Sequence, residues 1–151
     1  MHNQTKLLLG MIFMLLGSFV FAQSNDFIDS VIADEGITIS QAAYLVMVAS
    51  DNLGDDVDAA RAFDLLKQLS WVPEGMKPDD TVTYAQFSYI LMKAFSIKSG
   101  FMFELFPSPR YAYRELIHQV VIQGATDPDL VVSGTGAMHM LSRIFDVKGI
   151  K

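Results

Sequence analysis

An all-α fold is the class this chain predicts. Apolar side chains recur at helical spacing, capping motifs stand before two of the periodic stretches, and related segments return along the chain. The segment Thr83-Tyr-Ala-Gln86-Phe-Ser-Tyr89-Ile-Leu-Met92-Lys-Ala94-Phe95 has an earlier counterpart in Thr38-Ile-Ser-Gln41-Ala-Ala-Tyr44-Leu-Val-Met47-Val-Ala49. A weaker one runs from Ser133 to Phe145. Between the last two copies the match extends upstream without a gap. Ala62 pairs with Ala112, Leu66 with Leu116, Pro78-Asp79 with Pro128-Asp129, Val82 with Val132, Leu91 with Leu141 and Phe95 with Phe145. The reading is two clear helix-loop-helix units and a shortened first one.

The chain opens on a segment with the pattern of a secretory signal, residues 1–22. Lys6 is its only formal charge, Leu7 to Ala22 is almost wholly apolar, and Val20-Phe21-Ala22 presents small residues where a signal peptidase reads. The apolar run is shorter than the roughly 20 residues that a spanning helix needs. Cleavage after Ala22 is therefore expected, with retention as a membrane anchor the alternative. The rest, residues 23–151, is long enough for one domain with a core and short for two. Export places it in the periplasm or cell envelope. The chain has no Cys, so an oxidising compartment adds no disulfide. With 17 Asp plus Glu against 11 Lys plus Arg and no basic stripe, nucleic acid and electrostatic docking to anionic lipid are disfavoured.

The elements follow in order. Asp26 to Ile32 can form a brief first helix, and Asp34-Glu35-Gly36 a tight loop. Thr38-x-x-Gln41 is a capping box, in which the hydroxyl accepts from a free N–H of the first turn and the amide accepts from the cap residue's own N–H. A helix then runs to about Ser50. Asp58 is placed to cap a helix over 59–70, whose apolar stripe is Ala62, Leu65, Leu66 and Leu69. Pro73, Gly75 and Pro78 punctuate the next loop. Thr83-x-x-Gln86 opens the 83–95 helix, with Phe87, Ile90, Leu91 and Ala94 on one face. A connector carries Phe101, Phe103 and Phe106, which are expected to pack across a unit boundary or form a contact surface. Ala112, Leu116 and Val120 mark a helix over 110–122, and Gly124 and Pro128 the loop after it. Ser133 opens the last helix, where Gly136 stands in place of Gln and predicts a looser start.

No motif carries catalysis. Ser133-Gly-Thr-Gly136 before a helix suggests phosphate, but it lacks the full dinucleotide fingerprint and a P-loop lysine. Glu115-x-x-His118 places two metal-ligand types one turn apart, but a di-iron bundle needs a second such pair, and the repeat partner is Leu65-x-x-Gln68. The acidic run Asp51 to Asp58 lacks EF-hand spacing, because Leu53 stands at a ligand position. No cofactor and no metal are expected. Trp71, the only Trp, is either a stacking platform for a sugar or a plug in the core.

The stretch Pro73-Glu74-Gly75-Met76-Lys77-Pro78-Asp79, followed by Val82-Thr83-x-x-Gln86-Phe87, resembles the S-layer homology repeat. That repeat commonly has a glycine turn, a basic residue and Pro-Asp before a helix opening Thr-Arg-Ala-Glu-Phe. Phe106, Tyr111-Ala112 and Leu116 look like the repeat's opening. The resemblance implies three units packed as a pseudo-threefold helical cluster, with the 38–50, 83–95 and 133–145 helices together and the 59–70 and 110–122 helices outside them. It also implies noncovalent attachment to cell-wall polysaccharide or peptidoglycan through grooves between units. The family arginine is Tyr84 here, with Ile39 and Gly134 at the matching positions, and a phenol cannot replace a guanidinium against an anionic sugar.

The expected function is therefore a non-catalytic cell-envelope binding module. Trp71, Lys77, Asp79, Tyr84, Arg110 and Tyr111 are the candidate glycan contacts, rings for an apolar sugar face and polar groups for its hydroxyls or acids. The alternative is an envelope adaptor that takes a protein partner through Phe101, Phe103 and Phe106.

Overall fold

A computed structural model describes residues 26–54, 57–124 and 127–149. The expected signal segment, 1–22, lies outside the described residues. The fold is all-α. Helix α1 is seen from residue 26 to 33; α2 is Ile39–Ala49, α3 Ala59–Gln68, α4 Tyr84–Ala94, α5 Phe101–Leu105, α6 Pro109–His118 and α7 Gly134–Lys148. Extended pairing among the described residues is limited to two isolated bridges, Thr38 with Thr81 and Thr83 with Val131.

The helix starts form as their residues dictate. Thr38 and Thr83 make complete capping boxes with Gln41 and Gln86. Asp58 caps α3 by accepting from the Arg61 N–H at 2.8 Å, and Ser108 caps α6 with Pro109 in its first turn. The ends are less ordinary. Asp51, Ser70, Ser96 and Val120 each take a left-handed conformation just beyond a helix C-cap, a place where glycine is the easy residue. Val120, at φ 62°, ends α6 earlier than the apolar pattern predicts. The connector that carries Phe101, Phe103 and Phe106, for which the sequence predicts no element, winds into the short helix α5.

Helix α2 is central: Ala42 through Met47 are all buried, and it packs against α3, α4 and α7. Helix α3 makes its main contact with α2, and α6 with α4, so each outer helix rests on the inner helix that precedes it in the chain. Phe95 and Phe145 stack edge-on at 5.7 Å and join the ends of α4 and α7.

A ring of backbone hydrogen bonds ties the inner helices together. The Ile37 N–H donates to the Val132 carbonyl at 2.9 Å, the Val132 N–H to the Val82 carbonyl at 3.0 Å, and the Val82 N–H to the Ile37 carbonyl at 3.1 Å. All three residues are fully buried, and each immediately precedes a cap, Thr38, Thr83 or Ser133. Around this ring each inner helix gives first-turn N–H groups, which have no partner inside a helix, to a neighbouring loop. Ile39 donates to Asp80, Tyr84 to Leu130 and Gly134 to Asp34. The loop before α4 thus caps α2, the loop before α7 caps α4, and the loop before α2 caps α7. No buried side-chain nitrogen or oxygen among the described residues lacks a partner.

Candidate functional site

Two places collect functional side chains. The first is the face made by α5 and α6. Gly100 starts α5 without a side-chain cap, and its N–H donates to Glu115 Oε2 of α6 at 3.1 Å. Gln119 Nε2 donates to Glu115 Oε1 and to the Lys98 carbonyl, which fixes the approach to α5. Phe103 points inward, 8% exposed, and meets Tyr89 of α4 edge-on at 6.1 Å. The Lys93 ammonium lies over both rings. With Phe103 committed to the core, its neighbours turn out: Phe101 is 71% exposed, Phe106 59%, Leu105 53% and Met102 47%. Four large apolar side chains side by side in water are an uncommon surface. Beside them opens a cleft of about 440 Å³ lined by Met102, Phe103, Tyr111, Arg114, Glu115 and His118.

The second place is the seam between the start of α4 and the start of α7. A Cβ built on Gly136 would lie 2.9 Å from the Tyr84 hydroxyl, so that hydroxyl crowds the position where α2 and α4 carry the Gln of a capping box. Tyr113 of α6 is buried here, and its phenol is raised above the ordinary value by that burial, and further by Asp127 and Tyr84 nearby.

The candidate glycan contacts are divided. The loop carrying Trp71, Lys77 and Asp79 abuts the start of α2, where Ser40 donates to the Pro78 carbonyl. Trp71 is half-buried against the core, while Lys77 and Asp79 are exposed. Tyr84 belongs to the other seam, against the 127–131 loop. Arg110 is exposed in the first turn of α6, and Tyr111 lines the α5–α6 cleft. Of the connector aromatics, Phe103 packs across to α4, as one of the two expectations had it, and Phe101 and Phe106 face solvent.

The weaker motifs have structural employment. At Ser133-Gly-Thr-Gly136 the cap oxygen accepts from the Gly136 N–H, the Gly134 N–H is used by Asp34, and a Cβ on Gly134 would fall 1.6 Å from the Val31 carbonyl oxygen. The N–H groups of both glycines, which a phosphate cradle would use, are thus already taken. Glu115 of the Glu-x-x-His pair is spent on Gly100 and Gln119. Among the described residues no group of three His, Cys, Asp or Glu is placed to hold a metal ion. No helix among them is long and apolar enough to cross a membrane.

Met102, Leu105 and Arg114 were not singled out in the sequence, yet they belong to the face. The signal was there: in Gly100-Phe-Met-Phe-Glu-Leu-Phe-Pro107, a single helical turn puts residues 101, 102, 105 and 106 on one side and 103 on the other.

Comparison with known proteins returned no matching family model, no matching curated protein and no matching solved structure.

Proposed function

We propose that the chain is a non-catalytic binding module of the cell envelope, and that it engages a protein partner through the α5–α6 face. The observation that carries this reading is the exposure of Phe101, Met102, Leu105 and Phe106 around an ordered, inward-pointing Phe103. Each large side chain covered on binding contributes about 1.5 to 3 kcal/mol of apolar burial before the costs of association. The ring through Ile37, Val82 and Val132 supports three units of S-layer homology type as the scaffold.

The test is capture of envelope proteins by the exported chain and by its Phe101→Ser/Phe106→Ser variant, with circular dichroism as the folding control. A set of proteins retained by the wild type and lost by a folded variant is the expected result. Equal capture by both would remove the adaptor reading.

A second reading, attachment to a cell-wall glycan, is favoured by the Tyr84–Tyr113 seam, where two phenols stand beside Asp127. Co-sedimentation with purified sacculi, weakened by Tyr84→Ala together with Arg110→Ala and indifferent to the Phe101/Phe106 changes, is what that reading requires. Division of the other contacts between seams makes it the weaker of the two.

A further inference from the structure

The chemistry of the partner can be taken further, on the premise that the α5–α6 face is the docking surface. The chain as a whole carries a net charge of −6. The segment that builds this face has the opposite balance: between residues 93 and 118, Lys93, Lys98, Arg110 and Arg114 stand against Glu104 and Glu115. Glu115 is already held by the Gly100 N–H and by Gln119, and Lys93 by the Tyr89 and Phe103 rings. Lys98, Arg110 and Arg114 are exposed, and Arg114 lines the cleft beside Met102, Phe103 and Tyr111. Apolar groups that need covering thus sit next to guanidinium donors, which pair with carboxylates in a fork geometry.

We propose that this face binds an acidic peptide segment bearing a large apolar side chain. That side chain enters the cleft against Met102 and Phe103, and neighbouring Asp or Glu carboxylates pair with Arg114 and Arg110. A lipid surface fits less well. The acidic remainder of the chain is repelled by anionic headgroups.

A random peptide display library selected on the immobilised exported chain tests this directly. The expected winners place Asp or Glu on both sides of an aromatic or aliphatic residue. Arg114→Glu should weaken a selected peptide by about tenfold or more, Arg114→Lys less, and raising salt from about 0.1 M to about 0.5 M should also weaken it. Arg114 is exposed, and unchanged thermal unfolding of both variants shows that the fold is not the cause. Uncharged or basic winners, no enrichment at all, or indifference to Arg114→Glu would overturn the proposal. So would flotation with phosphatidylglycerol vesicles that depends on Phe101 and Phe106. Envelope-protein capture that needs Phe101 and Phe106 but ignores Arg114→Glu would leave the adaptor reading standing and remove this one. Loss of neither would remove both.

Discussion

The starts of α4 and α7 occupy matching positions and are built differently. Helix α4 opens with a full box: Gln86 N–H donates to the Thr83 hydroxyl, and Thr83 N–H donates to Gln86 Oε1 at 2.9 Å. Helix α7 keeps only the Ser133 cap and carries glycine at 134 and 136. Local propensity alone would call this start weak. Tertiary structure explains it. The backbone of α1 passes so close that Gly134 has no room for a Cβ, and the Tyr84 hydroxyl stands where Gly136 would have one. The segment that closes the ring gives up local helix chemistry to let two backbones approach.

The largest effects should come from breaking that closure. Deleting residues 124–151 removes Val132, and with it two of the three ring bonds and the partner of Phe95. The remainder is expected to lose its cooperative thermal transition rather than persist as two stable units. Gly134→Ala places a methyl group inside the Val31 carbonyl, and relief requires α1 and α7 to separate. Destabilisation of about 3 kcal/mol or more in urea titrations is expected, in the upper part of the usual overpacking range. A loss below about 0.5 kcal/mol would mean that α1 is not docked on α7 in solution.

The caps come next. Thr83→Ala should cost roughly 1 to 2 kcal/mol and Ser133→Ala roughly 0.5 to 1, because only the first disturbs a reciprocal pair. Partner capture at low temperature should be unchanged by either. A reversed order in chemical denaturation would show that the box adds nothing to α4, and lost capture with intact stability would make Thr83 a contact.

The C-terminal ends of α3 and α6 carry the comparison on. Ser70 and Val120 hold the same left-handed position, but the branched side chain of Val120 suits it worse, and it is exposed. Val120→Gly is expected to stabilise by about 1 kcal/mol, and Ser70→Gly by less. Calorimetry that finds Val120→Gly destabilising would place a hidden packing role on that side chain.

Much of this was legible before the structure. Thr38, Asp58, Thr83 and Ser133 announce helix starts because a capping hydroxyl or carboxylate acts within one turn. The periodic faces of α3, α4 and α6 are legible for the same local reason, whereas α2, buried from Ala42 through Met47, has no single face to read. The ring was not, since it is made by backbone groups of Ile37, Val82 and Val132 that any residue could supply. Helix α5 was missed because Gly100 offers no cap and Pro107 ends the run at once. The candidate contacts were scattered because the loop that carries Trp71 abuts the start of α2 while Tyr84, thirteen positions on, meets the 127–131 loop, and nothing in the intervening sequence says so.

The smallest expected effect separates the two starts most sharply. Gly136→Ala should gain close to 1 kcal/mol of helix propensity. It also presses the new methyl group on the Tyr84 hydroxyl, the mobile end of a half-buried side chain that can yield by a few tenths of an ångström. The two effects oppose, so the single variant should be nearly neutral. Tyr84→Phe deletes the closer of two crowding atoms; the ring carbon stays at 3.8 Å, an ordinary contact, and the Ser133 hydroxyl at 3.1 Å, a tight one. In that background Gly136→Ala should be more favourable than in the wild type by about 0.5 to 1 kcal/mol, and that difference is the coupling the double-mutant cycle should show. Thermal unfolding of the four proteins decides it. Additivity would mean that the hydroxyl and residue 136 ignore each other, and the glycine of α7 would then need another cause than the tyrosine of α4.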